Sequence, residues 1–421
     1  MTLTRRAFVA STGLAAAGLA APAIAQSKVE ITYWQYSFPV KETAINALIP
    51  VFEKQNPGIR VRHETFPYAN FNTKVAVAVP AGSGPDVVNL FYGWIPQYLK
   101  GGYLQPLPAG VISPAAIEAE FFPLVQAAKV NGSYYALPTA VRSLALFTNR
   151  KLFREAGLDP AQAPRTLAEY RDLAIRLTRR DASGNITVAG STMQPSGQHV
   201  NWIREVLVRQ FGGTPYSADF RKVTYDSPAG VAAMRWYLDL IRRDRVGFPD
   251  FMTDDVTAFR AGRAAMTIDG SFRLAALNGQ KELDFGVAEL PEHEGRRANF
   301  ASFWANGITR NATGARAEAA ARFVAFLASP DVMGVWLEKV GELPARKAVG
   351  LTPANLAHPQ YGPFIRGLEY ASATAFVDEL GQRQVLLDAV DDAVASNRPA
   401  EEVVRRMAQR EQDVIDAFYA H

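Results

Sequence analysis

The sequence predicts an α/β protein in two lobes, with a parallel-sheet layer in the first. Strand and helix patterns alternate over the first ~110 residues, and longer helical patterns with short apolar strands between them follow residue 145. The length of 421 residues is too great for one compact core and suits two.

The elements follow in order. "VEITYW" (29–34) is β-rich, and "ETAINALIPVFEKQN" repeats apolar residues at helical spacing through Ala44, Ala47, Leu48, Val51 and Phe52. "PGI" breaks that helix, after which "IRVRHETF" alternates with period two, completing a strand, helix, strand unit. A second helical run, "NFNTKVAVAV", passes through "PAGSGP" into the strand "DVVNLF". Beyond residue 145 come "TLAEYRDLAIRLTRR", "SPAGVAAMRWYLDLIRRD", "ARAEAAARFVAFLAS" and "PAEEVVRRMAQREQDVIDAFY", with "AAMTID" and "LDFGVAEL" as strands between them. There is no internal repeat and no low-complexity linker, so the lobes are expected to be joined by several short crossings.

Residues 1–25 stand apart. Arg5-Arg6, an Ala/Leu/Gly-rich run and the small residues Ala23 and Ala25 make the pattern of a secretory signal cut after Ala25. Arg5-Arg6 followed by Ala7-Phe8 has the form of a twin-arginine export signal. The apolar part is interrupted by glycines and Pro22, and it falls short of the ~20 residues that a membrane span needs. The segment holds two arginines and no acid, so its removal takes the formal charge from +4 to +2. A surplus that small gives no ground for a nucleic-acid partner. Cysteine is absent, which excludes disulfides, thiolate metal sites, a cysteine nucleophile and a lipid-modified cysteine. The mature chain is expected to be free in a periplasm-like space.

Catalytic and metal chemistry find little support. None of the five histidines (His63, His199, His293, His358 and His421) has a metal-ligand spacing such as HExxH. "PEHEG" (291–295) sets Glu292, His293 and Glu294 side by side, but consecutive residues of an extended segment point in alternating directions, so a solvated loop is expected. "AGSGPD" (81–86) lacks the Gly-Lys-Ser/Thr of a phosphate loop and reads as a turn feeding a strand. Asp254-Asp255 in "FMTDDVTAF" reads as a helix start, where acidic side chains suit the positive end of the dipole. No nucleophile elbow occurs, and neither a cofactor nor a catalytic group is expected.

Aromatic residues are more telling. Ligands of open α/β sheets sit beyond the carboxyl ends of the strands. The first strand runs there into Trp34-Gln35-Tyr36 and the third into Phe91-Tyr92-Gly93-Trp94, while "FASFWANG" adds Phe303 and Trp304. Flat aromatic faces beside amides and hydroxyls suit sugar rings.

The chain resembles the extracellular solute-binding proteins of sugar ABC importers, the family that includes maltodextrin-binding proteins. The resemblance is carried, over essentially the whole mature chain, by "FEKQNPGIRV" (52–61), "AGSGPDVV" (81–88), "GGYLQPL" (101–107), "GSYYALP" with "LALFTNRKLFREAGLD" (132–159), "AFRAGRAAMTIDGSF" (258–272), "DFGVAELP" (284–291) and "AARFVAFLASPD" (320–331). It implies the two-lobed periplasmic-binding-protein fold, each lobe a mainly parallel sheet flanked by helices, with the ligand cleft between lobes. The first lobe would comprise 26–140 and 303–348 and the second 145–300 and 350–421, with hinge crossings at 140–145, 299–304 and 345–350. It also implies a monomer that captures a carbohydrate by lobe closure and delivers it to membrane permease subunits.

The resemblance places Trp304 where many relatives stack a sugar, and Asp269-Gly270-Ser271 on a loop bordering the cleft. Trp94, with Tyr92 and Gly93 beside it, falls where maltodextrin binders hold charged groups. His199 falls at an aromatic ligand contact, Phe272 replaces the usual tryptophan, and Arg142 stands where those relatives carry a ligand-contacting acid. These departures argue against maltodextrin itself. Trp34, Gln35, Tyr36, Tyr92, Trp94, Arg142, His199, Asp269, Gly270, Ser271, Trp304 and Arg346 are therefore the expected ligand-binding residues. Two arginine forks, Arg142 and Arg346 in "ELPARKA", leave open an anionic sugar or polyol bearing a carboxylate, phosphate or sulfonate. Arg142 could instead pair with a carboxylate of the protein. A periplasmic carbohydrate-active enzyme is the other alternative, and it would need two carboxylates ~5 to 9.5 Å apart across the cleft.

Overall fold

The strand Val29–Tyr36 opens the fold, pairing in parallel with Ile59–Phe66 over its whole length and with Val87–Phe91 at Tyr33 and Trp34. These elements come from a computed structural model that describes residues 28–374 and 376–420; the candidate signal at 1–25 lies outside the described residues. The helix Pro39–Gln55 connects the first two strands. Pro39 suits its first turn, where the missing N–H costs nothing, and Glu42 caps the Phe38 N–H at 3.0 Å. It buries Ala44, Ile45, Leu48 and Phe52 and leaves Ala47 and Val51 exposed, a rotation of the expected stripe towards Ile45. Lys41 is buried too.

Two long strands organise the rest. Ala136–Asn149 pairs antiparallel with Asn299–Thr309 along its first half and with Met266–Gly270 and Phe285–Ala288 along its second. Asn299–Thr309 in turn pairs antiparallel with Val87–Phe91. A single sheet therefore runs through the molecule in the order Met266–Gly270, Ala136–Asn149, Asn299–Thr309, Val87–Phe91, Val29–Tyr36, Ile59–Phe66. The mainly parallel pairing expected of each lobe holds for the first three strands of the chain. Around Ala136–Asn149 it is replaced by antiparallel pairing, because the strands meeting it there return through loops and turns from the side it is heading towards.

Two large apolar cores flank this sheet. One gathers Ile31, Phe52, Val87 and Val141 with the helices Ala315–Leu327 and Pro330–Val340. The other gathers Leu144, Leu146, Tyr170, Trp202 and Met266 with Pro228–Arg242, Glu379–Ser396 and Ala400–Ala420. The chain thus forms two lobes, and Ala136–Asn149 contributes side chains to both cores. The segment predicted as a third crossing touches that strand slightly early: Leu343 pairs with Val141 and Pro344 with Ala140, while Arg346 already bridges to Phe121.

Two asparagines tie the second long strand in place. Asn306 accepts the Tyr33 hydroxyl at 2.9 Å and the Asn89 amide at 3.0 Å, and it donates to Thr139 Oγ1 at 3.1 Å, joining four strands through one buried amide. Asn299 exchanges two bonds with the Leu144 backbone, accepting its N–H at 3.2 Å and donating to its carbonyl at 2.9 Å. It stands in for a strand partner at the point where the first long strand passes from one core to the other. Asn306→Ala would leave the Tyr33 hydroxyl, the Asn89 amide and Thr139 short of a partner in a dry interior. Urea unfolding is expected to show a loss of about 2 to 3 kcal/mol, larger than a surface substitution gives.

Candidate functional site

Pairing and alternation on the long strands divide the predicted residues between two faces. Arg142 lies opposite Ser302, two residues from Trp304, so the three side chains share one face, and all three are partly exposed. Val141 and Phe303 point the other way into the core.

On the Trp304 face the carboxyl ends of three parallel strands deliver a wall of rings. The Tyr36 ring centroid lies 4.1 Å from that of Trp304, and Trp94 meets Trp304 edge-on at 5.3 Å. Tyr68 closes the group at 5.6 Å from Tyr36 and 6.1 Å from Trp304, with its own ring 58% exposed. Tyr68 follows the second strand as Tyr36 follows the first, and the rule that singled out the first and third strand ends applies equally to Phe66-Pro67-Tyr68. Two residues from the other lobe face it: Glu379 and Arg383, one turn apart at the start of Glu379–Ser396 and bonded to each other at 2.8 Å. Burial first, and the Glu379 charge second, push the Tyr68 phenol's pKa up. No local pattern near residue 379 announces this role, since more than 300 residues separate it from Tyr68.

At the floor Arg142 meets a carboxylate of the protein. Its Nε donates to Glu342 Oε1 at 2.7 Å, and its Nη2 donates to the same oxygen. The other oxygen, Oε2, receives Lys41 Nζ at 3.0 Å and the Trp336 indole N–H at 3.0 Å. Burial alone would raise the Glu342 pKa, but Lys41, Arg142 and the Trp336 bond outweigh it and hold the carboxyl down at about 2. The Phe272 ring centroid lies 5.0 Å from the Arg142 guanidinium and 5.2 Å from that of Arg273, so both cations pack on it. Arg273 is in turn bound to Asp269 at 2.8 Å. Gly270 permits this fold-back, since a Cβ there would stand 2.3 Å from the Phe272 ring.

Several expected residues lie elsewhere. Gln35 points away from Tyr36 by strand alternation and is buried. Trp34 is on the aromatic face but is roofed by Phe66 at 4.8 Å and by the Lys74 ammonium at 5.3 Å. Tyr92 stacks on Phe303 at 4.7 Å on the core side. His199 is fully buried against Trp202 and Tyr237, and burial pulls its pKa down to about 3, so it is a neutral core histidine rather than a contact in an open cleft. Ser271 is buried at the strand end. Arg346 is consumed by the protein: it pairs with Glu120, donates to the Ala328 carbonyl at 2.7 Å and lies 4.5 Å over the Phe121 ring. A cavity of about 980 Å³ is lined by Ile95, Leu99 and Leu124 on one side and by Phe220, Val377 and Phe418 on the other, and none of Tyr36, Tyr68, Trp94 and Trp304 lines it.

Glu342→Gln would remove the anion that Lys41 and Arg142 share and leave a buried and a partly exposed cation close together. At pH 7 a loss of about 3 kcal/mol in urea unfolding is expected. A carboxyl with a depressed folded pKa stabilises above its unfolded value and loses that contribution as pH falls, so the gap between wild type and variant should shrink from about pH 4.5 towards pH 2.

Comparison with known proteins agrees with this architecture. A family profile described as "Bacterial extracellular solute-binding protein" matches residues 37–334. The maltotriose-binding protein of Pyrococcus abyssi (strain GE5 / Orsay) is 22% identical over 263 residues, 62% of this chain but only 53% of that relative's length. The sn-glycerol-3-phosphate-binding periplasmic protein UgpB of Escherichia coli O1:K1 / APEC is 23% identical over 356 residues, covering 79% of this chain and 78% of its own. The cyclic alpha-maltosyl-1,6-maltose binding protein of Arthrobacter globiformis superposes with a TM-score of 0.83 at 22% identity, covering 93% of this chain and all of that one, a likeness of fold. The family match takes in Tyr68, Trp94 and Trp304, both long strands and the chain between them, and the protein belongs to the bacterial extracellular solute-binding proteins.

Proposed function

We propose that the cleft between the lobes captures a neutral carbohydrate and that the protein, acting as a monomer in the periplasm, delivers it to the permease subunits of an ABC importer. The observation that carries this reading is the partly open ring wall of Tyr36, Tyr68, Trp94 and Trp304 beside an arginine whose charge is already met by Glu342. Relatives named for maltotriose and for cyclic maltosyl-maltose point the same way. Aromatic faces hold the apolar side of a sugar ring, and Glu379, Arg383, Arg142 and Asp269 supply polar atoms around it. The twin-arginine pattern of residues 5–6 supports export, and the family's extracellular character agrees with it.

Ser143 and its neighbours on the first long strand, residues 299–304 and the segment around 345–350 are the proposed hinge. Rotation about them would open and close the wall against Glu379 and Arg383. Closure is favoured by ligand because only the closed form offers both sides of the cleft. Moving a 1:99 population to 99:1 takes about 5.5 kcal/mol of differential contact, within reach of a few stacked rings and charge-assisted hydrogen bonds. This work is binding and motion, with no bond made or broken.

Isothermal titration against neutral sugars, sugar phosphates and sugar acids tests the reading. Trp304→Ala should weaken the best neutral ligand about tenfold, ~1.4 kcal/mol, with the far-ultraviolet spectrum unchanged. The UgpB relative, named for an sn-glycerol phosphate, makes the contrary outcome specific. Tighter binding of a sugar or polyol phosphate than of any neutral sugar would replace the neutral reading with an anionic one, and turnover of a bound sugar would replace it with an enzyme.

A further inference from the structure

The cavity of about 980 Å³ shares no lining residue with the ring wall, and its sides belong to different parts of the fold. Ile95 and Leu124 are members of the first apolar core and Leu99 packs on it. Val377 instead is buried with Tyr216 and Ile415 in a small separate cluster, on which Phe220 and Phe418 pack. Ala371 and Ser372 also line the cavity, and they pair in parallel with Asn299 and Phe300 at the start of the second long strand. Phe376, next in the chain to Val377, has its ring centroid 6.2 Å from that of Tyr92, which stacks on Phe303. The edge formed by residues 371–377 therefore follows the Phe303 side of that strand, while Trp304 faces the ring wall on the other side.

The charges on this cavity differ from those of the cleft. In the cleft the cations are met by acids of the protein: Lys41 and Arg142 share Glu342, Arg273 holds Asp269 and Arg383 holds Glu379. The cavity is lined by four cations, Lys100, Lys129, Arg209 and Arg221, and by one acid, Asp219. Lys129 pairs with Glu118 at 2.5 Å. Asp219 serves its own loop, accepting the Ser217 hydroxyl at 2.6 Å and the Arg221 N–H at 3.2 Å. Arg209 reaches Glu205 Oε2 only at 3.7 Å, beyond a hydrogen bond, and its buried Nε has no partner. Lys100, at the end of the helix Ile95–Lys100, donates to the Phe418 carbonyl and stands 4.5 Å from the Phe418 ring centroid. Arg221 stands 4.1 Å from the ring centroid of Tyr419. Among the described residues neither Lys100 nor Arg221 has an ion pair with a carboxylate, and the adjacent rings of Phe418 and Tyr419 gather both at one rim.

We propose that this cavity is a second binding site, separate from the carbohydrate cleft, for a small amphiphilic anion of the fatty-acid type. Its carboxylate is held at the rim by Lys100 and Arg221, and its hydrocarbon body lies among Leu99, Leu124, Phe220 and Val377. The two features select together. A compact anion such as phosphate would meet the cations but leave the apolar walls against water, and a neutral apolar solute would cover the walls but leave the cations as they are. A cationic amphiphile would set like charges together at the rim. The volume lies within the range of small-molecule sites, and a flexible chain can follow walls that come from separate parts of the fold. The proposal does not depend on what the ring wall binds.

Isothermal titration of the mature chain with decanoate, below the concentration at which decanoate self-associates, should show one saturable site. Decanol, the same body without the charge, should bind about tenfold more weakly, and inorganic phosphate, a charge without the body, should give no signal. From octanoate to nonanoate to decanoate each added methylene should tighten binding about fourfold. Lys100→Gln combined with Arg221→Gln changes two exposed positions, and it should weaken decanoate about tenfold while leaving decanol unchanged. Ala127→Phe, which fills the cavity from its lining, should weaken both ligands; if its Tm shows an unfolded chain, the double variant decides alone. An absence of decanoate binding, decanol binding as tightly as decanoate, a flat chain-length series, or a double variant that keeps the wild-type Kd each overturns the proposal. Any of these results leaves the carbohydrate reading of the ring wall standing, because no wall residue lines the cavity.

Discussion

Glu342 is the constraint on which the cleft depends. One buried carboxylate receives Lys41 from the first helix, Arg142 from the first long strand and the indole of Trp336 from Pro330–Val340. Three elements far apart in the chain are thereby fixed to a point beside the lobe junction. Two cations on one anion would be costly in a dry interior without such close contacts. The burial of Lys41 on an amphipathic helix, odd when that helix is viewed alone, follows from this arrangement.

Strand alternation then decides what the cleft contains. Arg142 and Trp304 come to one face, while Val141 and Phe303, their immediate neighbours, support the opposite core. The same rule separates Tyr36 from Gln35. A cluster that reads as three or four aromatic residues in sequence therefore supplies one or two to the wall and the rest to the interior, where Tyr92 stacks on Phe303. The wall is completed by Tyr68, whose strand end obeys the same logic, and by Glu379 and Arg383 from the far lobe.

Much of the fold was legible because it is written in short-range patterns. The strand, helix, strand unit of 29–66, the turn at 81–86 and the helix start at Asp254 appear where periodicity and punctuation put them. Of the candidate site, Tyr36, Trp94 and Trp304 could be found from the position of aromatic residues after strands. His199 and Arg346 could not be rejected in the same way, because burial under Trp202 or capture by Glu120 depends on elements distant in the chain. Residues 136–149 show the limit most clearly: their apolar run announces a buried strand, but its antiparallel partners come from around residues 270, 288, 305 and 343.

The sequence by itself determined the α/β class, the two-lobe size and the presence of ring-bearing strand ends, since each of these rests on composition, period and local order, and its ordered motifs carried the resemblance to the family. It also posed the question of a charge at Arg142 inside an apolar strand. Only the tertiary structure decided that the partner is Glu342, 200 residues away. It likewise separated Asp254 from its neighbour Asp255, the first accepting the Thr257 N–H of its own helix and the second turned towards Gln194 and the buried His199. The physical reason is common to both cases. A side chain's charge state and availability depend on what surrounds it in three dimensions, and electrostatic partners are chosen by distance in space, which local sequence does not encode.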